Sequence, residues 1–299
     1  MEFKEFIKAV GTGVKGNREL SFEESFEMMT QILDQKAPAE LICAFLLGWR
    51  LKPETITEYR GALAAMDVRL KRSIIPNSIE LGFPFDGKVV TPFLFPLVAK
   101  VLEKSKINII IMGDDRIPAK HGVTTKDICS KLLLNDNVHY FDRKNYLNEL
   151  HLLTGLRNLL GLRTAFNTIE KLPNLGTSRF AVTGVFHKPY VQKYNDIFKN
   201  RYQRFALIQG NEGAPELFSK AKIWVTENEE THEYLIDPSL FGINYIKSKD
   251  SLSLDDSLKM LADPSNDLIK LAKLNAAIYM FIEKMVGSVE EGFEYLLDV

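Results

Sequence analysis

Between residues 157 and 204 this chain carries nine cations, Arg157, Arg163, Lys171, Arg179, Lys188, Lys193, Lys199, Arg201 and Arg204, against two acids, Glu170 and Asp196. Phe166, Phe180, Phe186, Tyr190, Tyr194, Phe198 and Tyr202 are threaded through them. Cations neutralise phosphates and aromatic faces stack on bases, so the composition suits a single-stranded nucleic acid. Core aromatics beneath a solvated charged face give the same pattern. Arg69, Lys71 and Arg72 form a second basic cluster upstream. The remaining reactive inventory excludes common chemistries. His121, His139, His151, His187 and His232 show neither the i,i+4 nor the C-x-x-C spacing of metal sites, so no structural zinc is expected. There is no G-x-S-x-G elbow, no Walker motif and no G-x-G-x-x-G after a strand. Gly11-Thr12-Gly13 reads as a linker before a helix.

The elements that must position these residues fall into two kinds. Ser21-Phe22-Glu23-Glu24 is a capping box and predicts a helix over 22–34, with Phe22, Phe26, Met29 and Leu33 on its buried face. A second helix starts at Pro38 and runs to Arg50, apolar almost all round; a third follows Pro53 with Ile56, Tyr59, Leu63 and Met66 on one side. These form a helical bundle over 1–75. After residue 76 the pattern changes. Apolar runs at 107–113, 180–185, 205–210 and 223–225 read as buried strands, separated by amphipathic stretches near 92–104, 125–134, 145–160 and 267–286. That alternation predicts an α/β domain over 76–299 with a mainly parallel sheet flanked by helices. Part of 155–178 is expected to join the helical domain. The acidic stretch 226–233 reads as a solvated loop or hairpin.

The 299 residues are 45% hydrophobic and 26% charged, which excludes disordered and collagen-like chains. The 38 basic and 39 acidic groups give a net charge of -1, unevenly spread: residues 1–75 are neutral, 76–225 carry +8 and 226–299 carry -9. Two cysteines, Cys43 and Cys129, are too few for a disulfide framework and point to a reducing compartment. A charged start without an apolar h-region, and no run of about 18 apolar residues, predict a cytoplasmic protein that is neither exported nor inserted in a membrane.

Several motifs together resemble glycosyltransferase family 3, the anthranilate phosphoribosyltransferases and nucleoside phosphorylases. They are Leu20-Ser21-Phe22-Glu23-Glu24, Ala37-Pro38-Ala39-Glu40, Arg50-Leu51-Lys52-Pro53-Glu54-Thr55, Gly61-Ala62-Leu63-Ala64-Ala65-Met66, Lys120-His121-Gly122, Leu160-Gly161-Leu162-Arg163-Thr164-Ala165-Phe166-Asn167-Thr168 and Gly184-Val185-Phe186-His187. The resemblance implies a helical bundle joined to a parallel α/β domain, and a homodimer through the N-terminal helices. It also implies a pyrophosphate cradle of sequence Gly-Thr-Gly-Gly-Asp-Gly. This chain has Gly82-Phe83-Pro84-Phe85-Asp86-Gly87 there. Pro84 has no N–H, and Phe83 and Phe85 add bulk where backbone must approach phosphate. The family's Asn-x-Ser-Thr phosphate contacts give way to Thr91-Pro92-Phe93-Leu94-Phe95-Pro96-Leu97, and its magnesium-holding Asp-Glu pair aligns with Pro215-Glu216, leaving Glu216 and, nearby, Glu212.

Phe85-Asp86-Gly87-Lys88, Thr91-Pro92 and Pro96-Leu97 are similar to a divergent branch, the YbiB-like proteins, which keep the fold and dimer and bind nucleic acid. The leading expectation is therefore a non-enzymatic nucleic-acid binder without a cofactor, its phosphates held in a basic interdomain cleft by Lys71, Arg72, Lys88, Lys120, Arg157, Arg163, Arg179 and Arg204. The alternative is a phosphoribosyltransferase with a divergent pyrophosphate loop. In it Arg163 clamps a carboxylate, Lys120 and His121 lie near the sugar, and Glu212 or Glu216 holds Mg2+. A third reading is an interaction scaffold that uses an exposed Phe83-Pro84-Phe85 as its apolar contact.

Overall fold

The computed structural model describes residues 1–297. The first helix, α1 (Phe3–Gly11), has no counterpart in the sequence expectations; it buries Phe3, Phe6, Ala9 and Val10 along one face. Three expected helices follow, α2 (Phe22–Leu33), α3 (Ala39–Leu51) and α4 (Ile56–Asp67). Then come β1 (Ser78–Gly82), α5 (Phe95–Leu102), β2 (Asn108–Gly113), α6 (Thr125–Cys129) and β3 (Val138–Asp142). The amphipathic stretch expected near 145–160 is broken into α7 (Arg143–Tyr146), α8 (Asn148–His151) and α9 (Thr154–Leu160), with α10 (Phe166–Ile169) after them. The remainder is β4 (Phe180–Val185), α11 (Pro189–Phe198), β5 (Arg204–Gln209), β6 (Ala221–Glu227), β7 (Glu230–Ile236), α12 (Leu254–Ala262), α13 (Asn266–Ile282) and α14 (Val289–Leu297).

Two compact units result. The helical unit comprises Met1–Lys71, Ile117–Ala119 and Arg143–Pro173. Its α2 starts on the expected reciprocal cap: the Glu24 amide donates to Ser21 Oγ at 3.1 Å and the Ser21 amide donates to the Glu24 carboxylate at 3.0 Å. Thr55 and Glu58 repeat the device at α4. Glu58 is fully buried and does more than cap. Its carboxylate accepts from the Leu20 amide at 2.9 Å, the Trp49 indole at 3.0 Å, the Thr55 amide at 2.8 Å and the Lys52 ammonium at 2.8 Å. A buried carboxylate is tolerated when donors saturate it, so Glu58 ties α3 and α4 to the entry of α2. The later segments carry their own buried pair, in which Arg157 meets both Glu170 oxygens, at 2.7 and 2.9 Å.

The α/β unit comprises Arg72–Arg116, Lys120–Asp142 and Asn174–Val299, described to Leu297. Its seven strands run in the order β3-β2-β1-β4-β5-β6-β7, parallel from β3 to β5 and antiparallel from β5 to β7. The acidic stretch is the tip of the β6–β7 hairpin, turning at Asn228-Glu229. Ile109, Ile110 and Ile111 are all buried, as expected for a strand covered on both faces. In register, Leu81 faces Ile111 on one side and Val182 on the other. Helix α13 buries apolar groups almost all round between the sheet, α5 and α14.

The central strand β1 carries a fully buried acid, Glu80. It accepts the Asn174 and Leu175 amides, each at 2.7 Å, and the Tyr202 hydroxyl at 3.0 Å. Burial pushes its carboxyl above the usual range, and those three donors oppose the shift. Glu80 thereby fastens the chain where it re-enters the α/β unit after Pro173.

Candidate functional site

Ligand sites of parallel sheets lie beyond the carboxyl ends of the strands, and the loops after β1 and β5 converge there. The turn Gly82-Phe83-Pro84-Phe85-Asp86-Gly87 leaves β1 and is buried throughout. The expectation of an exposed Phe83-Pro84-Phe85 contact is therefore overturned. Phe83 packs against the rings of Phe93 and Phe95, with centroids 5.1 and 5.8 Å away, so the apolar groups stabilise the turn from within. Gly87 has φ +82°, and a Cβ there would lie 2.5 Å from the Gly122 carbonyl group. The glycine lets Lys88 pair backbone to backbone with Val123, through two hydrogen bonds of 2.8 Å. Lys120, just before that segment, lies 3.3 Å from Asp86 Oδ1 and donates to the Glu212 carbonyl at 2.8 Å.

Two carboxylates from the loop after β5 close on the backbone that follows this turn. Glu212 accepts from the Val89 amide at 2.5 Å, the Val90 and Thr91 amides at 3.2 Å each, and the Thr91 hydroxyl at 2.8 Å. Glu216 accepts from the Leu94 and Phe95 amides at the start of α5, at 2.7 and 2.9 Å, and from the Lys88 ammonium at 2.5 Å. Helix N-termini and successive amides are anion-binding geometry, and in this chain both sets of donors hold internal carboxylates. Lys88 also donates to the Pro92 carbonyl at 2.5 Å and lies 4.4 Å over the Phe218 ring. Nearby Tyr279 donates to the Pro215 carbonyl at 2.8 Å, and Asn275 brackets the Leu217 backbone.

Electrostatics follow from this burial. Loss of water pushes Lys88 down and Glu216 up from their usual ranges, while their mutual attraction opposes both shifts. Lys247, which donates to Asn211 Oδ1 at 3.2 Å, is also pushed down, first by desolvation. The Mg2+ implied by the family resemblance does not fit the two glutamates as placed. Both oxygens of each already accept N–H or O–H donors, and an ammonium sits where a cation on Glu216 would.

The eight expected phosphate contacts are distributed in ways the sequence does not reveal. Lys88 and Arg157 are each 1% exposed and Arg204 is 8% exposed, and all three are already held within the fold. Lys88 is held by Glu216 and Arg157 by Glu170, while Arg204 donates to the Phe281 carbonyl at 2.7 Å. Lys71 and Arg163 are exposed in the helical unit, and Arg72 and Arg179 in the α/β unit. Arg72 Nε donates to the Asn174 carbonyl at 3.1 Å and Arg179 Nε to Gln203 Oε1 at 2.8 Å, both at the amino ends of the parallel strands. Lys120 lies at the carboxyl ends, so the α/β contributors divide between opposite edges of the sheet. His121 is exposed beside Lys120. Asn211, Lys247 and the Val89–Thr91 amides are participants that sequence reasoning missed. The only signal available for them is the run Gly210-Asn211-Glu212-Gly213, whose glycines mark a tight turn.

Comparison with known proteins covers much of the chain on either side of this turn. The model for the glycosyl transferase family, helical bundle domain, matches residues 4–68, and that for the glycosyl transferase family, a/b domain, matches residues 122–299. The interval 69–121, with the Gly82–Gly87 turn and Lys88–Thr91, lies outside both matches. An "Uncharacterized protein" of Aquifex aeolicus is 29% identical over 94% of each chain. An anthranilate phosphoribosyltransferase of Thermoanaerobacter sp. is 25% identical over 93% of this chain and 90% of its own. The crystal structure of anthranilate phosphoribosyltransferase from Thermus thermophilus superposes with a TM-score of 0.78 at 18% identity, over 98% of this chain and 92% of that one. Among the described residues no helix is long and apolar enough to cross a membrane.

Proposed function

The chain belongs to the glycosyl transferase family defined by those helical-bundle and α/β domains, and on that premise we propose that it is a phosphoribosyltransferase of the anthranilate type with a divergent pyrophosphate loop. The observation that carries this reading is the set of anion donors at the carboxyl end of β1: the Val89, Val90 and Thr91 amides, the Thr91 hydroxyl, the first amides of α5 and the adjacent Lys120. Departure of pyrophosphate from a pentosyl donor builds negative charge on the leaving group, and N–H and ammonium donors aimed at one point stabilise that charge once the carboxylate they hold has withdrawn. The Gly82–Gly87 turn contributes support rather than a cradle, because its phenylalanines face the core.

The test is release of pyrophosphate from phosphoribosyl pyrophosphate in the presence of anthranilate, with and without Mg2+, together with the loss of anthranilate fluorescence. Turnover that falls at least about tenfold in Lys120→Ala supports the reading. No release, with or without Mg2+, overturns it.

A second reading, the binding of single-stranded nucleic acid, is favoured by one specific feature. Phe186, His187 and Tyr190 are exposed just past β4, with the Phe186 and His187 rings 4.8 Å apart and the Lys193 ammonium 5.6 Å over Tyr190. Such a comb suits stacked bases beside a charged backbone. A labelled oligonucleotide titrated at about 50 and about 200 mM salt decides it, since phosphate contacts must weaken steeply with salt. Absence of saturable binding at the lower salt sinks this reading. A homodimer built on the N-terminal helices accords with Leu47 and Leu51, exposed on α3, and light scattering of Leu47→Asp/Leu51→Asp tests it.

A further inference from the structure

Glu212 sits at the tip of a tight loop in which Gly210, Asn211, Glu212 and Gly213 all have positive φ, at +75°, +46°, +62° and +75°. Asn211 tolerates that conformation, whereas Glu212 is an L residue whose side chain disfavours it. The loop is anchored on its far side, where Gly213 and Ala214 press against Gly184 so closely that a Cβ on Gly184 would lie 2.2 Å from Gly213. On its near side Gly210 has open space around it. The Gly210 amide donates to the Val185 carbonyl and its carbonyl accepts from the Gly213 amide, each at 2.8 Å, so the loop's ends are held and the Glu212 side chain is the part that can leave.

What the tip holds is a nest. Three consecutive amides, Val89, Val90 and Thr91, and the Thr91 hydroxyl converge on one carboxylate. Successive amides aimed at one point are how backbone binds a phosphate oxygen, and a carboxylate matches that geometry with a smaller charge. The nest does not need Glu212 to be held in place. The Lys88–Val123 pairing fixes it from one side, and the Leu252 amide, donating to the Val89 carbonyl at 2.7 Å, fixes it from the other. Two cations stand near it as well: Lys120 reaches the Glu212 carbonyl, and Lys247 faces Asn211.

We propose that Glu212 is a built-in competitor, a tethered carboxylate that occupies an oxyanion nest at Val89–Thr91 and must be expelled, by withdrawal of its side chain, before a phosphate-class ligand binds there. This deepens the transferase reading and rests on it for the ligand class. The consequence is a self-limited site. Only the fraction of molecules with the carboxylate withdrawn is competent, and apparent affinity is reduced by that fraction.

Calorimetric titration with inorganic pyrophosphate separates the possibilities. Glu212→Ala is expected to bind at least about tenfold tighter than the unaltered chain, as removal of a plug closed nine-tenths of the time requires. Glu212→Ala/Thr91→Val should lose that gain, which places the ligand in the nest rather than on surface lysines. Equal or weaker binding by Glu212→Ala overturns the proposal, as does a gain that Thr91→Val leaves intact. Where Glu212→Ala does not fold, Glu212→Gln, which keeps an acceptor oxygen and removes the charge, is read in the same way; failure of both to fold identifies a brace and overturns the proposal. The outcome is independent of turnover. A wild-type chain that transfers the pentosyl group but shows no gain on Glu212→Ala rejects the competitor and keeps the transferase. A gain without turnover in any variant does the reverse.

Discussion

The Lys88 ammonium and the Glu216 carboxylate lie 2.5 Å apart, and neither side chain reaches solvent. Their residues are separated by 128 positions, so this ion pair joins the loop after β1 to the loop after β5 at the heart of the candidate site. Removing one member strands the other charge in a low dielectric. Lys88→Met should therefore cost about 3–5 kcal/mol in urea denaturation. Lys88→Met/Glu216→Gln should recover much of that, because the amide oxygen still accepts the Leu94 and Phe95 N–H groups with no charge left alone. A single variant as stable as wild type would show that the pair is not ionised or not buried in solution.

In the helical unit, Glu58 presents four donors with acceptors only. Glu58→Gln turns an NH2 group toward other donors and should cost about 2–4 kcal/mol. The chain has two tryptophans, Trp49 in this unit and Trp224 in the other, so the fluorescence of Trp49 in a Trp224→Phe background reports the change selectively. A denaturation midpoint unmoved by Glu58→Gln would refute the role assigned to the carboxylate.

Two positive-φ glycines make a matched pair. Gly87 (φ +82°) has the Gly122 carbonyl group 2.5 Å from any Cβ, whereas Gly161 (φ +67°) has nothing within 4 Å. Gly161→Ala should cost only the backbone term, about 1 kcal/mol, and Gly87→Ala should cost at least about 3 kcal/mol because the Lys88–Val123 pairing must open. Equal losses at the two positions would mean that the close approach of the Gly87 and Gly122 segments is not maintained in solution.

Glu283 follows α13 with its Oε1 buried and without a hydrogen-bond partner among the described residues. Burial pushes its carboxyl up to about 7, against a weaker pull from Arg179. The folded value thus exceeds the unfolded one of 4.5. Between these two values the folded state binds more protons than the unfolded state, so stability must fall as pH rises through that window and level off above it. Glu283→Gln should remove this slope and raise stability at pH 8 by about 1–3 kcal/mol. An unchanged profile in that variant would assign the slope to another group.

Local signals were legible wherever the partners are close in sequence. Ser21 and Glu24 specify their cap within four residues, and Ile107–Gly113 reads as a two-face-buried strand that appears as Asn108–Gly113. β1 was missed because Glu80 interrupts its apolar run; the amides that neutralise it lie 94 and 95 residues downstream, and the Tyr202 hydroxyl 122. β3 escaped for a related reason, as Val-His-Tyr-Phe-Asp is the half-buried edge of the sheet. In the site, the residue types of Lys88, Glu212 and Glu216 are plain, but not that the lysine neutralises one glutamate while amides hold the other. The exposed Phe83-Pro84-Phe85 is an error of the same origin, since proline beside phenylalanines reads locally as a surface turn, and only the distant packing of Phe93 and Phe95 buries it.

The helical unit is assembled from stretches that do not adjoin in the chain, ending at Pro173. On the ribosome, α1–α4 therefore emerge about 100 residues before the last of their partners, a wait of about 5–20 s at ordinary elongation rates. Strand β1 waits similarly, because its neighbour β4 ends only at Val185. The helical unit is thus complete at Pro173, whereas the α/β unit still waits for β4–β7 and for α12–α14, and holds its unfinished surface for longer. For inheritance the result is equally restrictive: a recombination breakpoint at the first crossover, Lys71, would deliver a bundle without Arg157, Glu170 and the helices that carry them. A graft of the helical unit onto another protein must therefore carry all three of its stretches, Met1–Lys71, Ile117–Ala119 and Arg143–Pro173.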